Sequence, residues 1–416
     1  MGDGGAVRRT TVAVLLAACL PLSALLGGCT SQESAAKVVK SPVTDPTDFH
    51  HGPADTSAGG DALVDVSTLA RRFEVPWGIT FLPDGGAVVT ERQTRRVLLV
   101  GPGRQPDGDL TVRPVGRVVE ATADNEGGLL GIAASPNYRT DRTLYMYYTT
   151  RDDNRIAKMR LGGRPHPIVT GIPKSGIHDG GRLMFGPDGY LYASTGEASH
   201  TESSQSLRSL GGKTLRMTTE GKPAPGNPFP GSLIWSYGHR NPEGLAWDSN
   251  GNMYSTEIGE AVWDELNVIR PGRNYGWPRI EGIKGQPGFV DPAAAWRPEV
   301  GVSSGVAITG DTAVITCLRG QRIYLVTLDG TIARDVSAGE DGPVSGPETG
   351  TIRWRPRAGV TSRPIEALTG KYGRLRTAIT APDGSVWMMT SNRDGRKPGG
   401  PESDDDRILR LTLRPR

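Results

Sequence analysis

Residues 178–197 read HDGGRLMFGPDGYLYASTGE: a histidine, a glycine pair, bulky residues from Arg182 to Phe185, a Pro-Asp-Gly turn, and a second strand-like run from Tyr190 to Ser194. Two such runs joined by a tight glycine turn predict a β-hairpin, with His178 on the loop leading into it. The same device recurs as ITFLPDGGAVVTE from Ile79, LLGIAASPNYRTDRTLYMYYT from Leu129, GLAWDSNGNMYSTE from Gly244, GVAITGDTAVITC from Gly305 and AITAPDGSVWMMT from Ala378. With RLMFGPDGYLYAST from Arg182 that makes six copies, whose starts lie 50, 53, 62, 61 and 73 residues apart. This period suits four-stranded blades with loops of varied length. The expected fold is therefore all-β, a six-bladed β-propeller of four-stranded antiparallel blades. No amphipathic helix of 12 or more residues competes with that reading. DRILRLTL at 406–413 and ALVDVSTLA from Ala62 are placed to pair, which closes the ring and removes a raw sheet edge.

The composition agrees. Among 416 residues, 57 glycines and 32 prolines make the chain turn-rich, yet it is apolar enough for a packed core. A formal charge of +3 without a dense basic block implies no nucleic-acid partner. Residues 1–28 read as a targeting segment: Arg8 and Arg9, an apolar run from Val12 to Leu26, then Leu26-Gly27-Gly28-Cys29. That ending resembles the lipobox of a bacterial lipoprotein. Cleavage before Cys29 would lipidate it and anchor the exported chain on the outer face of the cell membrane; an ordinary secretory signal is the alternative. The Arg8-Arg9 pair fits twin-arginine export and a plain basic leader alike. Residues 29–60, rich in Ser, Thr, Pro, Asp and Gly, read as a flexible tether, with His50 and His51 solvated, and residues 61–416 as the propeller. Of the three cysteines, Cys19 would be removed and Cys29 lipidated, so Cys317 is left with no disulfide partner.

Chemistry-bearing side chains stand just ahead of the repeats. His178 precedes one hairpin, Arg240 and Asn241 in SYGHRNPEGLAW precede the next, and Arg374 and Arg376 in GRLRTAITAPDG lead into the last. Loops that lead into successive blades converge at one end of a propeller, so these residues are expected to form one site. A histidine there is a natural general base near neutral pH.

With VPWGITFLPDGGAVVTER, NEGGLLGIAASPNY, HDGGRLMFGPDGYLYASTGE, SYGHRNPEGLAW, DELNVIRPGRNYGWP and GRLRTAITAPDGSVWMMTSNRDG in order, the chain closely resembles the soluble quinoprotein glucose and sorbosone dehydrogenases. These are aldose sugar dehydrogenases that use pyrroloquinoline quinone. The resemblance covers essentially the whole body. It implies a propeller holding the quinone and a calcium ion at one end of the central channel, oxidising an aldose to its lactone and passing electrons to an external acceptor. By resemblance His178 is the base, Arg240 and Asn241 lie against substrate and cofactor, and Glu126 lies near the quinone and the sugar. The quinone carries three carboxylates, and Arg319, Arg374 and Arg376 match positions that grip it. The carbonyls of Gly259 and Glu260 are implied as calcium ligands, with Glu265 and Tyr275 holding a second, structural ion.

Two departures stand out. Where the family has Thr-Gly-Asp, with the aspartate orienting the base, this chain has Thr195-Gly196-Glu197, one methylene longer. The stretch 152–173 is short, so one wall of the sugar pocket is expected to be open. His166, His200 and His239 read as loop or packing residues. Two other readings remain at this point: a calcium-dependent hydrolase or lactonase on a similar propeller, and a non-catalytic ligand-binding propeller lipoprotein.

Overall fold

The computed structural model describes Met1 and residues 58–299, 301, 303–330, 352–354 and 359–414. The leader, Cys29 and residues 29–57 lie outside the described residues. Strand content is nearly complete: six antiparallel sheets follow one another along the chain as the blades of a six-bladed propeller. The first blade is Pro76–Phe81, Ala87–Glu91, Arg96–Arg104 and Leu110–Arg117. The second is Leu129–Ala134, Thr143–Thr149, Asn154–Arg160 and His166–Ile172. The third, Leu183–Phe185, Leu191–Thr195, Lys213–Met217 and Ile234–Tyr237, contains the expected hairpin, with Leu183 opposite Ala193 and Phe185 opposite Leu191.

The fourth blade departs from the four-strand expectation. To Pro242–Trp247, Met253–Glu257, Asp264–Ile269 and Ala294–Trp296 it adds a fifth strand, Ile352–Trp354, antiparallel to the outer one. This fifth strand belongs to the long connection between the third and fourth strands of the fifth blade, and it gives the outer edge of Ala294–Trp296 a partner. The fifth blade is Ser303–Thr309, Thr312–Cys317, Ile323–Thr327 and Ile365–Ala367. In the last, Leu375–Thr380, Val386–Thr390 and Ile408–Leu413 are joined by Val64–Ala70, which pairs Val64 with Leu413 and Thr68 with Leu409. Ring closure therefore uses the two segments expected. A helical turn at Ala58–Asp61, which starts within the stretch read as tether, precedes the closing strand, and the Asp61 carboxylate accepts the Leu368 amide at 2.6 Å.

Each blade is buried on both faces by its neighbours, so inner strands such as Ala87–Glu91, Leu191–Thr195 and Thr312–Cys317 are buried at every position instead of alternating. Apolar clusters fill the wedges between blades, as where Tyr145, Ile156 and Val169 meet Leu191, Leu215 and Ile234. Towards the axis the wedge narrows until backbones touch. A Cβ on Gly131 would stand 2.2 Å from the Gly181 carbonyl oxygen, and one on Gly305 2.7 Å from the Ala378 nitrogen. Glycine at these inner-strand positions lets adjacent blades approach. Gly131→Ala is expected to cost about 1–3 kcal/mol through overpacking, read as a lower denaturant midpoint at unchanged slope.

Candidate active site

His178 sits in the left-handed region at φ 61°, followed by Gly180 and Gly181, also at positive φ. A non-glycine residue holds that conformation only when its surroundings fix it. Its amide donates to Glu126 Oε2 at 2.9 Å, and its carbonyl accepts the Ala198 amide at 3.1 Å. Gly196 passes so close that a Cβ there would lie 1.8 Å from the His178 carbonyl oxygen. The ring is pinned from one side: Nδ1 lies 2.5 Å from Oε1 of the buried Glu197. A carboxylate only accepts, so the Nδ1 proton makes this bond and Nε2 keeps the lone pair. The longer acid of Thr195-Gly196-Glu197 thus reaches the histidine, and the Glu197 amide is tied to the Arg240 carbonyl at 2.9 Å.

Beside this dyad the loops bring together the two arginines expected there, and others with them. Arg374 donates through Nε and Nη2 to Asp394 at 3.1 and 2.9 Å. Arg376 donates to Glu243 Oε2 at 2.8 Å, and Glu243 Oε1 accepts from Asn241 at 3.3 Å. Asn241 in turn accepts the Gly180 amide at 3.0 Å, linking the arginines to the histidine loop. Arg182 lies 4.4 Å over the Trp77 ring and bonds the Glu243 carbonyl and Thr377. Arg396 reaches from the loop after Val386–Thr390 to Glu126 at 2.8 Å and Asn125 at 3.1 Å. Arg92, on the turn after Ala87–Glu91, completes the group. Five guanidiniums thus surround three carboxylates, Glu126, Glu243 and Asp394. Burial pulls Arg92 and Arg182 down to about 10. Burial pushes Glu126 up, but Arg396 and the His178 amide overcome this and hold it below its ordinary range. Glu243 stays raised, because burial exceeds the help of Arg376.

Arg92, Arg182, Glu243, Asp394 and Arg396 escaped the sequence reading. All lie within or next to the quoted motifs, in TER, HDGGR, HRNPEG and SNRDGR, but a lone charged residue carries no mark of burial. Arg319 is exposed on the turn after Thr312–Cys317, and its charge acts on Asp264 of the neighbouring blade. The turn at 150–153 is tight, with the Thr150 amide on the Asp153 carbonyl. It stands beside the histidine loop through Asn154, which donates to Asp179 at 2.8 Å. The short stretch 152–173 is taken up largely by Asn154–Arg160 and His166–Ile172.

Arg240 donates to the carbonyls of Ile258 at 3.1 Å and Gly259 at 2.7 Å, and lies 5.4 Å over Trp277. Its amide is held by Glu257, whose other oxygen meets His239 Nδ1 at 2.9 Å, while His239 Nε2 meets Ser236 at 2.8 Å. His239 also stacks on Tyr275, so this packing histidine fixes the residue next to it in sequence. These oxygens suit a cation. Asp264 Oδ1 takes the Gly259 amide at 3.0 Å, but Oδ2 is buried with no partner among the described residues. Burial, then Glu281, pushes this carboxyl well above its ordinary range. Carbonyls already facing a guanidinium beside an unsatisfied acid form a hard-oxygen donor set that fits calcium. At the second implied ion, burial and then Glu257 raise Glu265 to about 8, as expected of an acid short of counter-charge. The Tyr275 hydroxyl does not fit: it donates to the Val268 carbonyl at 2.6 Å and accepts the Arg270 amide at 2.8 Å.

The likeness to known proteins agrees with this geometry. The sequence model of the family described as Glucose / Sorbosone dehydrogenase matches residues 73–399. Aldose sugar dehydrogenase YliI of Escherichia coli is 28% identical over 375 residues, covering 80% of this chain and 92% of that one. Quinoprotein glucose dehydrogenase B of Acinetobacter calcoaceticus is 32% identical over 268 residues, 55% of each chain. Among solved structures, the PQQ-bound aldose sugar dehydrogenase of Streptomyces coelicolor superposes with a TM-score of 0.74 at 40% identity, covering 84% of this chain and 98% of that one. With its blades, its histidine dyad and its arginine cluster in the order of those motifs, the chain belongs to the glucose/sorbosone dehydrogenase family.

Proposed function

We propose that this protein oxidises aldose sugars at C1 to lactones, using pyrroloquinoline quinone and calcium. The observation that carries the reading is the pairing of a buried arginine cluster, richer in guanidiniums than in carboxylates, with a histidine whose Nε2 is left free by Glu197. When bound, the quinone would supply the two-electron oxidant for the C1 hydrogen. The guanidiniums of Arg374 and Arg376 are the groups that would hold its carboxylates, joined by Arg319 on the strength of the family resemblance. The Gly259 and Glu260 carbonyls and Asp264 are the groups that would hold calcium, which would supply a Lewis acid. His178 Nε2 takes the proton of the anomeric hydroxyl, and Glu197 stabilises the imidazolium that forms. Arg240 stabilises negative charge developing beside it, while Asn241 ties the histidine loop to Glu243. A calcium-dependent hydrolase would have no need of an arginine cluster matched to a tricarboxylate. The reading places the enzyme on the outer face of the cell membrane through a lipid on Cys29, which Cys29→Ser would release to the soluble fraction.

The direct test is reconstitution. Quinone plus calcium should turn an inactive apoprotein into a dye-reducing aldose dehydrogenase, whereas activity only with NAD would defeat the reading. His178→Ala should keep the quinone yet slow its reduction by sugar about 10²–10⁴-fold in stopped-flow traces. Glu197→Gln should slow it less, because a neutral amide still orients the ring but stabilises the imidazolium less well. Arg376→Ala should weaken both quinone binding and the fold, since Glu243 is left buried without its partner, at a cost of about 3–5 kcal/mol in chemical unfolding.

A further inference from the structure

Two guanidiniums of the cluster, Arg92 and Arg182, have no ion pair of their own among the described residues, and of these Arg92 has the less satisfied head. It is 4% exposed, and its Nε is buried without a hydrogen-bond partner among the described residues. Its charged neighbours are Arg376 and Arg396, which repel it, and Asp394 and Glu126, which attract it. Both acids are already taken, Asp394 by Arg374 and Glu126 by Arg396. Arg182 also lacks an ion pair but is satisfied by the Glu243 carbonyl, Thr377 and the Trp77 ring. Among the described residues the Arg92 Nε has no such substitute. Its backbone is fixed by the Val75 carbonyl and the Leu129 amide, and Gly128 packs so closely that a Cβ there would lie 2.8 Å from the Arg92 Cγ. The stem is thus held in place while the head is left unmatched.

An unmatched buried charge is costly, and a fold gains nothing by keeping one unless a counter-charge arrives. The neighbours exclude a metal or another cation as that partner, because Arg376 and Arg396 already crowd the position. The missing group is an anion with acceptor oxygens. We propose that Arg92 anchors a carboxylate of the bound quinone, adding a site of its own to those of Arg374 and Arg376. This rests on the quinone reading above. It also separates two roles: Arg374, Arg376 and Arg396 share their charge with acids of the protein and stabilise the empty site, whereas Arg92 is committed to the ligand.

That division has a signature that a merely structural arginine would lack. Arg92→Gln and Arg92→Lys would be compared with the parent by thermal unfolding without ligand. They would also be titrated with pyrroloquinoline quinone in the presence of calcium, read by tryptophan fluorescence. Arg92→Gln should unfold at the same or a higher temperature than the parent when empty, because a buried uncompensated charge is gone. It should bind quinone about 10–100-fold more weakly, the loss of a charged hydrogen bond, and the heat stabilisation conferred by quinone should shrink accordingly. Arg92→Lys, which keeps the charge but not the planar fork, should fall between the two. Quinone affinity equal to the parent's in either variant overturns the proposal, as does an Arg92→Gln protein that is unfolded or markedly less stable when empty. A parent that binds no quinone would overturn the quinone reading itself, a result distinct from selective loss in the variants.

Discussion

A carboxylate buried near the axis of a propeller cannot stand alone, and Glu243 shows what that requirement builds. Its two oxygens take Arg376 and Asn241, and its carbonyl takes Arg182. Through these contacts three blades are locked together: Arg182 leads into the third, Asn241 and Glu243 open the fourth, and Arg376 opens the sixth. Desolvation is what enforces the match. Each charge removed from water needs a partner placed by a different part of the chain, and the network holds only when the ring has closed.

The same logic fixes the histidine. His178 occupies a backbone conformation that a side chain ordinarily avoids, and it is held there by Glu126 on one side and the Ala198 amide on the other. Glu126 is itself held by Arg396 from a loop 270 residues away. The His178 ring is therefore positioned by two acids with different tasks: Glu197 orients the imidazole, and Glu126 anchors the peptide that carries it. Glutamate at 197, despite its extra methylene, lies buried against Nδ1, so the replacement leaves the imidazole oriented.

Arg240 is positioned in a comparable way from behind. The Ser236, His239 and Glu257 chain is buried and remote from solvent, and its output is the placement of one backbone amide. A histidine without a catalytic role thus serves the site through packing and hydrogen bonding, with Tyr275 stacked on its face. The carbonyls that receive the Arg240 guanidinium belong to the turn whose amide is held by Asp264, so these oxygens and the arginine are set by one short loop.

What the sequence determined by itself was the architecture and the placement of the main functional groups. Glycine turns between β-branched and aromatic runs, repeated six times, specify hairpins through local conformational preference, and 406–413 and 62–70 carry matching patterns for closure. Because strands leading inward all start at the same end, His178, Arg240, Asn241, Arg374 and Arg376 could be grouped from spacing alone. The tertiary structure decided which charges are buried and with whom they pair. Arg92 and Arg396 look in sequence like any surface arginine, and only the folded ring shows one lying idle in the interior and the other spanning the mouth to Glu126. The fifth strand of the fourth blade and the commitment of the Tyr275 hydroxyl to backbone partners were likewise beyond local reading. Propensity and periodicity are properties of neighbours in the chain, whereas desolvation and ion pairing depend on residues hundreds of positions apart, which meet only when the blades pack.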